Sequence, residues 1–321
     1  MTTAIAPRPP NHNLKGTTVR TRTSFIAIAA ALVLTIGLAA CSTSPTNPGS
    51  SGSTGSPGST GSSGSGAPAE QAAGSLDAIK AKGVLTIGVF RDLAPFGSVD
   101  SSGKYVGYDI YFGDQLGRDL GVKVTYVGLD AQGRVPALTG DKVDLILANF
   151  AITAERKEQV DFSLPYMKAY QALISPDSAP ITDMSQMKGK ILIVTRGTSQ
   201  QTWFTQNYPD IEQAAYQTQT DAYSALKDGR GAALAQSNLD ELAWAKQNPG
   251  FTVGIEKIGD PTLVGAAVKK GNQSLLDWVN QEITSALPDN FFHDAYAATL
   301  EPVYGEDANP DDIVVERGQV N

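Results

Sequence analysis

The chain reads as an α/β protein made of two runs of alternating strands and helices, the second run set inside the first. Short apolar runs bounded by turn residues give the strands, and segments of helical periodicity give the helices. The alternation begins near Leu85, breaks off after Val160 and restarts at Ile191. From about Gly74 onward the chain is long enough to bury two cores.

Residues 85–90 form a buried strand, followed by Arg91-Asp92-Leu93-Ala94-Pro95-Phe96 and a turn at Asp100-Ser101-Ser102-Gly103. Residues 108–120 have helical periodicity and stop at Gly121, a residue suited to a left-handed helix cap. Then come an alternating strand at 122–127, a short helical piece at 135–138, an apolar strand at 143–148 and a helix at 155–160. The second run gives strand 191–194, helix 198–208, strand 214–217, helix 221–227, strand 231–236 and helix 239–246. Strands 251–255 and 263–268 and helices 274–287 and 289–299 close the chain. Such sheets bind ligands beyond the carboxyl ends of their strands, and clefts between lobes are favoured sites.

Ahead of this body, Arg8, Lys15, Arg20 and Arg22 precede an uncharged apolar run over 25–40, and no acid appears before Cys41. That order is an export signal, and the run is shorter than the roughly 20 apolar residues that span a bilayer. Leu38-Ala39-Ala40-Cys41 resembles the bacterial lipoprotein box. The resemblance implies that 1–40 is a signal peptide, and that Cys41 is lipidated and becomes the new N-terminus. Residues 42–66 are only Ser, Thr, Gly, Pro and Asn, which cannot bury apolar surface. They make 41–74 a disordered tether, with an r.m.s. span of about 27 Å for its Gly/Ser stretch.

The formal charge is −8, and loss of 1–40, with four basic groups and no acid, takes it to about −12. So acidic a body does not suit nucleic acid, nor adhesion of the protein surface to anionic lipid. Cys41 is the only cysteine, so no intrachain disulfide forms. His12 and His293 are far apart, which leaves no His/Cys metal cluster and no convincing nucleophilic triad, and no cofactor is expected. Trp203 and Trp244 read as core residues, and Glu301, Glu306, Asp307, Asp311 and Asp312 as a solvated tail.

Two helix starts have the chemistry to face a ligand. Thr198-Ser199-Gln200-Gln201 follows a strand and Gly197, with Thr198 and Gln201 spaced as a capping box. Free N–H groups at such a start form an anion site, although ordinary capping explains the same residues. In Asn149-Phe150-Ala151-Ile152-Thr153-Ala154-Glu155-Arg156, Thr153 is a plausible N-cap and Glu155 suits the positive helix end. Arg156 opposes the helix dipole there. Its planar fork matches a carboxylate held between the two; the alternative is a local ion pair with Glu158 or Asp161.

The series Gly83-Val84-Leu85-Thr86-Ile87-Gly88-Val89, Ala94-Pro95-Phe96, Gly107-Tyr108-Asp109-Ile110, Arg134-Val135-Pro136-Ala137-Leu138, Lys142-Val143-Asp144-Leu145-Ile146, Thr153-x-x-Arg156 and Asp161-Phe162-Ser163-x-Pro165-Tyr166 occurs in that order. It resembles the family 3 extracellular solute-binding proteins, the polar amino-acid receptors of ABC importers, over about 78–299. The resemblance implies a type II periplasmic-binding-protein fold of two lobes, 75–174 plus 266–318 and 175–265. Two crossover strands, near 172–175 and 262–266, would serve as the hinge on which the lobes close over a small solute. It implies that Arg156 and the backbone N–H groups of Ala151 and Ser199, beside Thr198, hold the solute carboxylate. Asn149, Phe150, Thr195 and Phe90 would line the side-chain pocket. The implied partner is an ABC permease, and the implied location is extracytoplasmic, anchored to the membrane by lipid.

The chain departs from the family pattern at three points. The acid that usually grips the ligand ammonium is matched by Ser237, with Asp240 one helical turn on; a stacking aromatic is matched by Leu93, and a hydroxyl by Ala151. A buried ammonium without an anion is costly. Either another acid serves, Asp92 being a candidate, or the solute is not an ordinary α-amino acid. The resulting expectation is a binding module that captures a small carboxylate-bearing solute of the polar amino-acid class. The alternatives are a solute sensor for a membrane partner and a dehydratase-like enzyme. The latter needs a positioned acid, and none has a strong claim to that role.

Overall fold

The computed structural model describes residues 74–305 and 308–320. The export signal, Cys41, the tether 42–66, Glu306 and Asp307 lie outside the described residues.

Ser75 caps α1 (Leu76–Lys82) by accepting from the Ala78 N–H. Then come β1 (Val84–Phe90), a small antiparallel sheet of β2 (Asp92–Leu93), β3 (Gly97–Val99) and β4 (Tyr105–Val106), and α2 (Tyr108–Leu120). α2 buries Asp109, Phe112, Gly113, Leu116, Gly117 and Leu120, one stripe of its surface, and ends at Gly121 in the left-handed region. Beyond it lie β5 (Lys123–Leu129), α3 (Arg134–Thr139), β6 (Leu145–Ile146), α4 (Ala154–Gln159) and the long β7 (Val160–Pro176). The inner run is β8 (Leu192–Thr195), α5 (Ser199–Asn207), β9 (Gln213–Tyr216), α6 (Gln219–Lys227), β10 (Ala233–Ser237) and α7 (Asn238–Gln247). It returns through β11 (Phe251–Lys269) to α8 (Gln273–Gln281), a π-helical turn Glu282–Ala286, α9 (Phe291–Thr299) and α10 (Glu301–Tyr304).

The large sheet has the order β5-β1-β6-β11-β7-β10-β8-β9. β1 runs parallel to β5 and β6, and β8 runs parallel to β9 and β10. Between these two parallel sets, β7 and β11 pair antiparallel from Phe251↔Pro176 to Lys269↔Val160. The first core holds Ile87, Phe112, Tyr166 and Phe292 and includes Ala169 of β7 and Val264 of β11. Leu173, further along β7, and Ile258, earlier on β11, belong to a second core with Leu192 and Phe204. Ile174, Ile193 and Leu234 face a third cluster with Tyr223. Neighbours such as Leu192 and Ile193 serve opposite faces, as the pleat requires. Two lobes joined by two crossover strands make this a type II fold.

Three expectations need correction. The apolar run 143–148 pairs as a strand only at Leu145–Ile146. The helix expected over 155–160 ends at Gln159, because Val160 already pairs with Lys269 in β7. The strands expected at 251–255 and 263–268 are one, β11. Gly254, Gly259 and Pro261 fall among register shifts between Val253 and Thr262, where the strand bulges without stopping.

α7 packs on both lobes. Leu239 and Ala243 enter the first core, whereas Trp244 and Ala245 pack against the third cluster. Tyr304 donates its hydroxyl to the Leu239 carbonyl (3.0 Å).

Candidate functional site

A cleft of about 410 Å³ of empty space, open mouth included, lies where the carboxyl ends of β1, β6, β8 and β10 face each other. Ala169, Tyr170, Thr262 and Val264 of the crossover strands also line it. Phe90, Leu93, Asn149, Ala151, Arg134 and Arg156 line it from the first lobe. The second run supplies Thr198, Ser199, Gln200, Gln219, Gln236, Ser237 and Asp240.

Arg156 reaches the cleft because of how α4 begins. Thr153 Oγ1 accepts from the Arg156 N–H (3.2 Å), which caps the helix and places the arginine in its first turn. Its Nη1 donates to the Ala151 carbonyl (2.7 Å) and its Nη2 to the Gly197 carbonyl (3.0 Å). The local ion pair is not formed: Asp161 is held by Lys270 (2.7 Å), and among the described residues no carboxylate bridges Arg156. Burial pushes its pKa down to about 10, so it stays charged at neutral pH.

A second buried arginine, Arg134, opens α3 and is 2% exposed. It donates to the carbonyls of Ala131 (3.0 Å), Ala148 (3.0 Å) and Gly197 (3.1 Å). Its guanidinium lies over the Phe90 ring (5.0 Å) and the Phe150 ring (4.5 Å), and Arg156 lies over Phe150 as well (4.5 Å). Burial, and then the charge of Arg156, depress the Arg134 pKa.

At the start of α5, Thr198 Oγ1 accepts from the Gln201 N–H (3.3 Å). Gln201 reaches back to the Gly197 N–H (3.0 Å), one residue earlier than in the usual reciprocal box. Ser199, Gln200, Gln219 and Gln236 make the second lobe's wall one of hydroxyls and amides without a formal charge.

The acid of the cleft is Asp240. Ser237 lines the cleft but spends its Oγ as the N-cap of α7, accepting from the Asp240 N–H (3.3 Å). The cap fixes the first turn, and Asn149 Nδ2 donates to the Asp240 carboxyl at 3.5 Å. Burial pushes Asp240 up to about 7, and the nearby Asp109 charge adds to the rise. Asp109, fully buried, is pushed up to about 6 by burial. It accepts from the Asn149 N–H (2.8 Å) and the Tyr166 hydroxyl (2.6 Å), and so holds Asn149 in the left-handed region (φ 42°). Asp92, the other acid considered, faces Thr220 (3.4 Å) in a neighbouring cavity.

Eight of the ten expected ligand residues thus line one cleft: Phe90, Leu93, Asn149, Ala151, Arg156, Thr198, Ser199 and Ser237. Phe150 and Thr195 stand behind it. Phe150 lies beneath both guanidiniums, and Thr195 donates to Gln219 (3.0 Å). Sequence reasoning missed Arg134, Tyr170 and the buried glutamines. Arg134 carried the signal that singled out Arg156, a cation in a first helical turn. Among the described residues no cluster of His, Cys, Asp and Glu could hold a metal ion.

The sequence model of the bacterial extracellular solute-binding proteins, family 3, matches residues 85–298. The crystal structure of the solute receptor for L-cysteine of Neisseria gonorrhoeae is similar, with 46% identity, 75% of this chain and 100% of that one covered, and a TM-score of 0.74. The cysteine-binding protein from Campylobacter jejuni is 42% identical, covers 75% of this chain and 98% of its own, and gives a TM-score of 0.73. The ABC transporter glutamine-binding protein GlnH of Bacillus subtilis is 29% identical over 235 residues, 72% of this chain and 86% of that relative.

Proposed function

The chain belongs to family 3 of the bacterial extracellular solute-binding proteins, and on that premise we propose that its cleft captures a small neutral α-amino acid, with L-cysteine as the first candidate. One observation carries this reading: among the described residues, a buried, charged Arg156 without a salt-bridging carboxylate shares the cleft with a buried acid, Asp240, without a salt-bridging cation. A zwitterion supplies what both lack, its carboxylate to Arg156 and its ammonium to Asp240. In this reading Asp240, one helical turn on from Ser237, takes the place of the acid that Ser237 replaces. With Asp240 taken by the ammonium, the rest of the second-lobe wall is hydroxyls and amides, which favours a neutral side chain over a basic or acidic one that would be buried there without a counter-charge. Two similar solved structures are cysteine receptors, which supports the choice of candidate.

In this reading the body hands its solute to an ABC permease and works outside the cytoplasm, tethered by a lipid on Cys41. A Cys41→Ser variant is then expected to lose incorporation of a labelled fatty acid, and labelling equal to the wild type would contradict the anchor.

The solute claim is tested by thermal shift against the twenty amino acids. At about 100 times its dissociation constant a ligand stabilises by about 2.7 kcal/mol. The expected result is a clear shift with L-cysteine, little with L-arginine or L-glutamate, and none with L-cysteine in Arg156→Ala. Equal shifts in the wild type and Arg156→Ala would contradict the reading.

A further inference from the structure

Two guanidiniums of the first lobe converge on one oxygen of the second, and we infer that this oxygen, the Gly197 carbonyl, is the latch that holds the cleft shut, with Arg134 as its positioning residue. The inference rests on the solute reading above and adds to it the means by which a bound carboxylate is coupled to closure.

Arg134 is built to hold that oxygen. Two of its donors are fixed to carbonyls of its own lobe, at Ala131 and Ala148, and only Nη2 crosses the cleft. The rings of Phe90 and Phe150 flank the guanidinium, so the fork cannot swing away without losing both faces and two hydrogen bonds. The crossing donor is therefore preorganised and waits for an acceptor that the other lobe brings.

Gly197 is built to arrive. Its φ of +75° lies in the left-handed region, and a Cβ there would stand 2.7 Å from the Gln132 Cα and 2.8 Å from the Gln132 N. Backbone meets backbone across the cleft at this point, an approach that only glycine permits. Gln201 holds the Gly197 N–H, which keeps the carbonyl's peptide in place. Along the same edge Gln217 Nε2 donates to Asp130 (2.8 Å), a second link between the lobes.

The charges couple the latch to the solute. Arg134 and Arg156 are like charges brought to one neutral carbonyl, and among the described residues neither has a carboxylate bridge. With the cleft empty, their repulsion opposes closure. A solute carboxylate on Arg156 offsets it, so that both forks settle on the Gly197 oxygen. When the lobes part, the oxygen leaves with the second lobe and both crossing bonds are lost together.

The test labels one introduced cysteine per lobe, at the exposed Ser101 and Asp210, with donor and acceptor dyes in a Cys41→Ser background. It follows lobe distance and L-cysteine release in the parent, Arg134→Met and Gly197→Ala. Arg134→Met is expected to release L-cysteine about tenfold faster or more, with association changed by less than about twofold. Gly197→Ala acts from the other lobe, leaves every Arg134 bond within its own lobe intact, and decides the matter if Arg134→Met fails to fold. Both variants should stay more open than the parent at saturating L-cysteine. Closure and release at the parent's values in both would overturn the latch. If the parent binds no amino acid, the solute reading fails by itself. The latch is then judged on the dye distances without solute, where Gly197→Ala, which disturbs the latch and leaves both charges in place, must lower the closed fraction, and an unchanged distance overturns it.

Discussion

Arg156 and Asp240 carry formal charges into one buried space, and each has a pKa that records the cost: burial lowers the arginine and raises the acid to about 7. Because the unfolded value for an aspartate is near 4, the folded chain takes up a proton at Asp240 before the unfolded chain does. Its stabilising contribution is complete below the unfolded value and is lost as pH rises through about 7. In the absence of solute, Asp240→Asn should therefore gain stability over the wild type at pH 8 and lose that advantage at pH 5, as read by thermal melting. Binding runs the other way. An ammonium needs the ionised carboxylate, so affinity for L-cysteine should weaken by up to about tenfold per pH unit below pH 7 and level off above it. Titration calorimetry at pH 5, 6, 7 and 8 checks this, and a flat profile in the wild type would remove Asp240 from the site. Arg156 was legible in the sequence because its charge stands against its own helix. The direction of Asp240 was not, because a serine cap one turn earlier sets it.

α7 shows how an element positions a residue. Ser237 ends β10, caps α7 and thereby aims Asp240, while Leu239 and Ala243 anchor the same helix in the first core. Ser237→Ala is expected to cost about 1 kcal/mol of stability in denaturant unfolding, the usual worth of a helix cap. It should weaken solute binding as well, since the first turn then loses its fixed geometry. A stability loss with affinity unchanged would show that Asp240 needs no such support. The helices α2, α5, α6 and α7 were legible because periodicity and caps are local. β7 and the join within β11 were not: Pro165, Gly254, Gly259 and Pro261 are stop signals in a single chain, and only pairing across the lobes, Val160↔Lys269 to Pro176↔Phe251, carries the strands through them.

At the scale of the molecule, three core clusters and two crossover strands leave a cleft in which first-lobe cations face a second-lobe wall of hydroxyls and amides with the acid Asp240 among them. The two α/β runs were visible as a pattern that stops and restarts, and the ordered motifs pointed to the family. The alignment of charges across the cleft was not visible, because Arg134, Asn149 and Asp240 meet only when the lobes do. The central claim is that a zwitterion bridges Arg156 and Asp240. The measurement that tests it most directly is titration calorimetry with L-cysteine beside cysteamine, which lacks the carboxylate, and 3-mercaptopropionate, which lacks the amine. Cysteamine leaves the Arg156 charge unpaired and 3-mercaptopropionate gives up the ion pair with Asp240, so either analogue should bind at least about tenfold more weakly than L-cysteine at pH 8. Binding of 3-mercaptopropionate as tight as that of L-cysteine would contradict the account, since the cleft would then recognise a carboxylate without its ammonium.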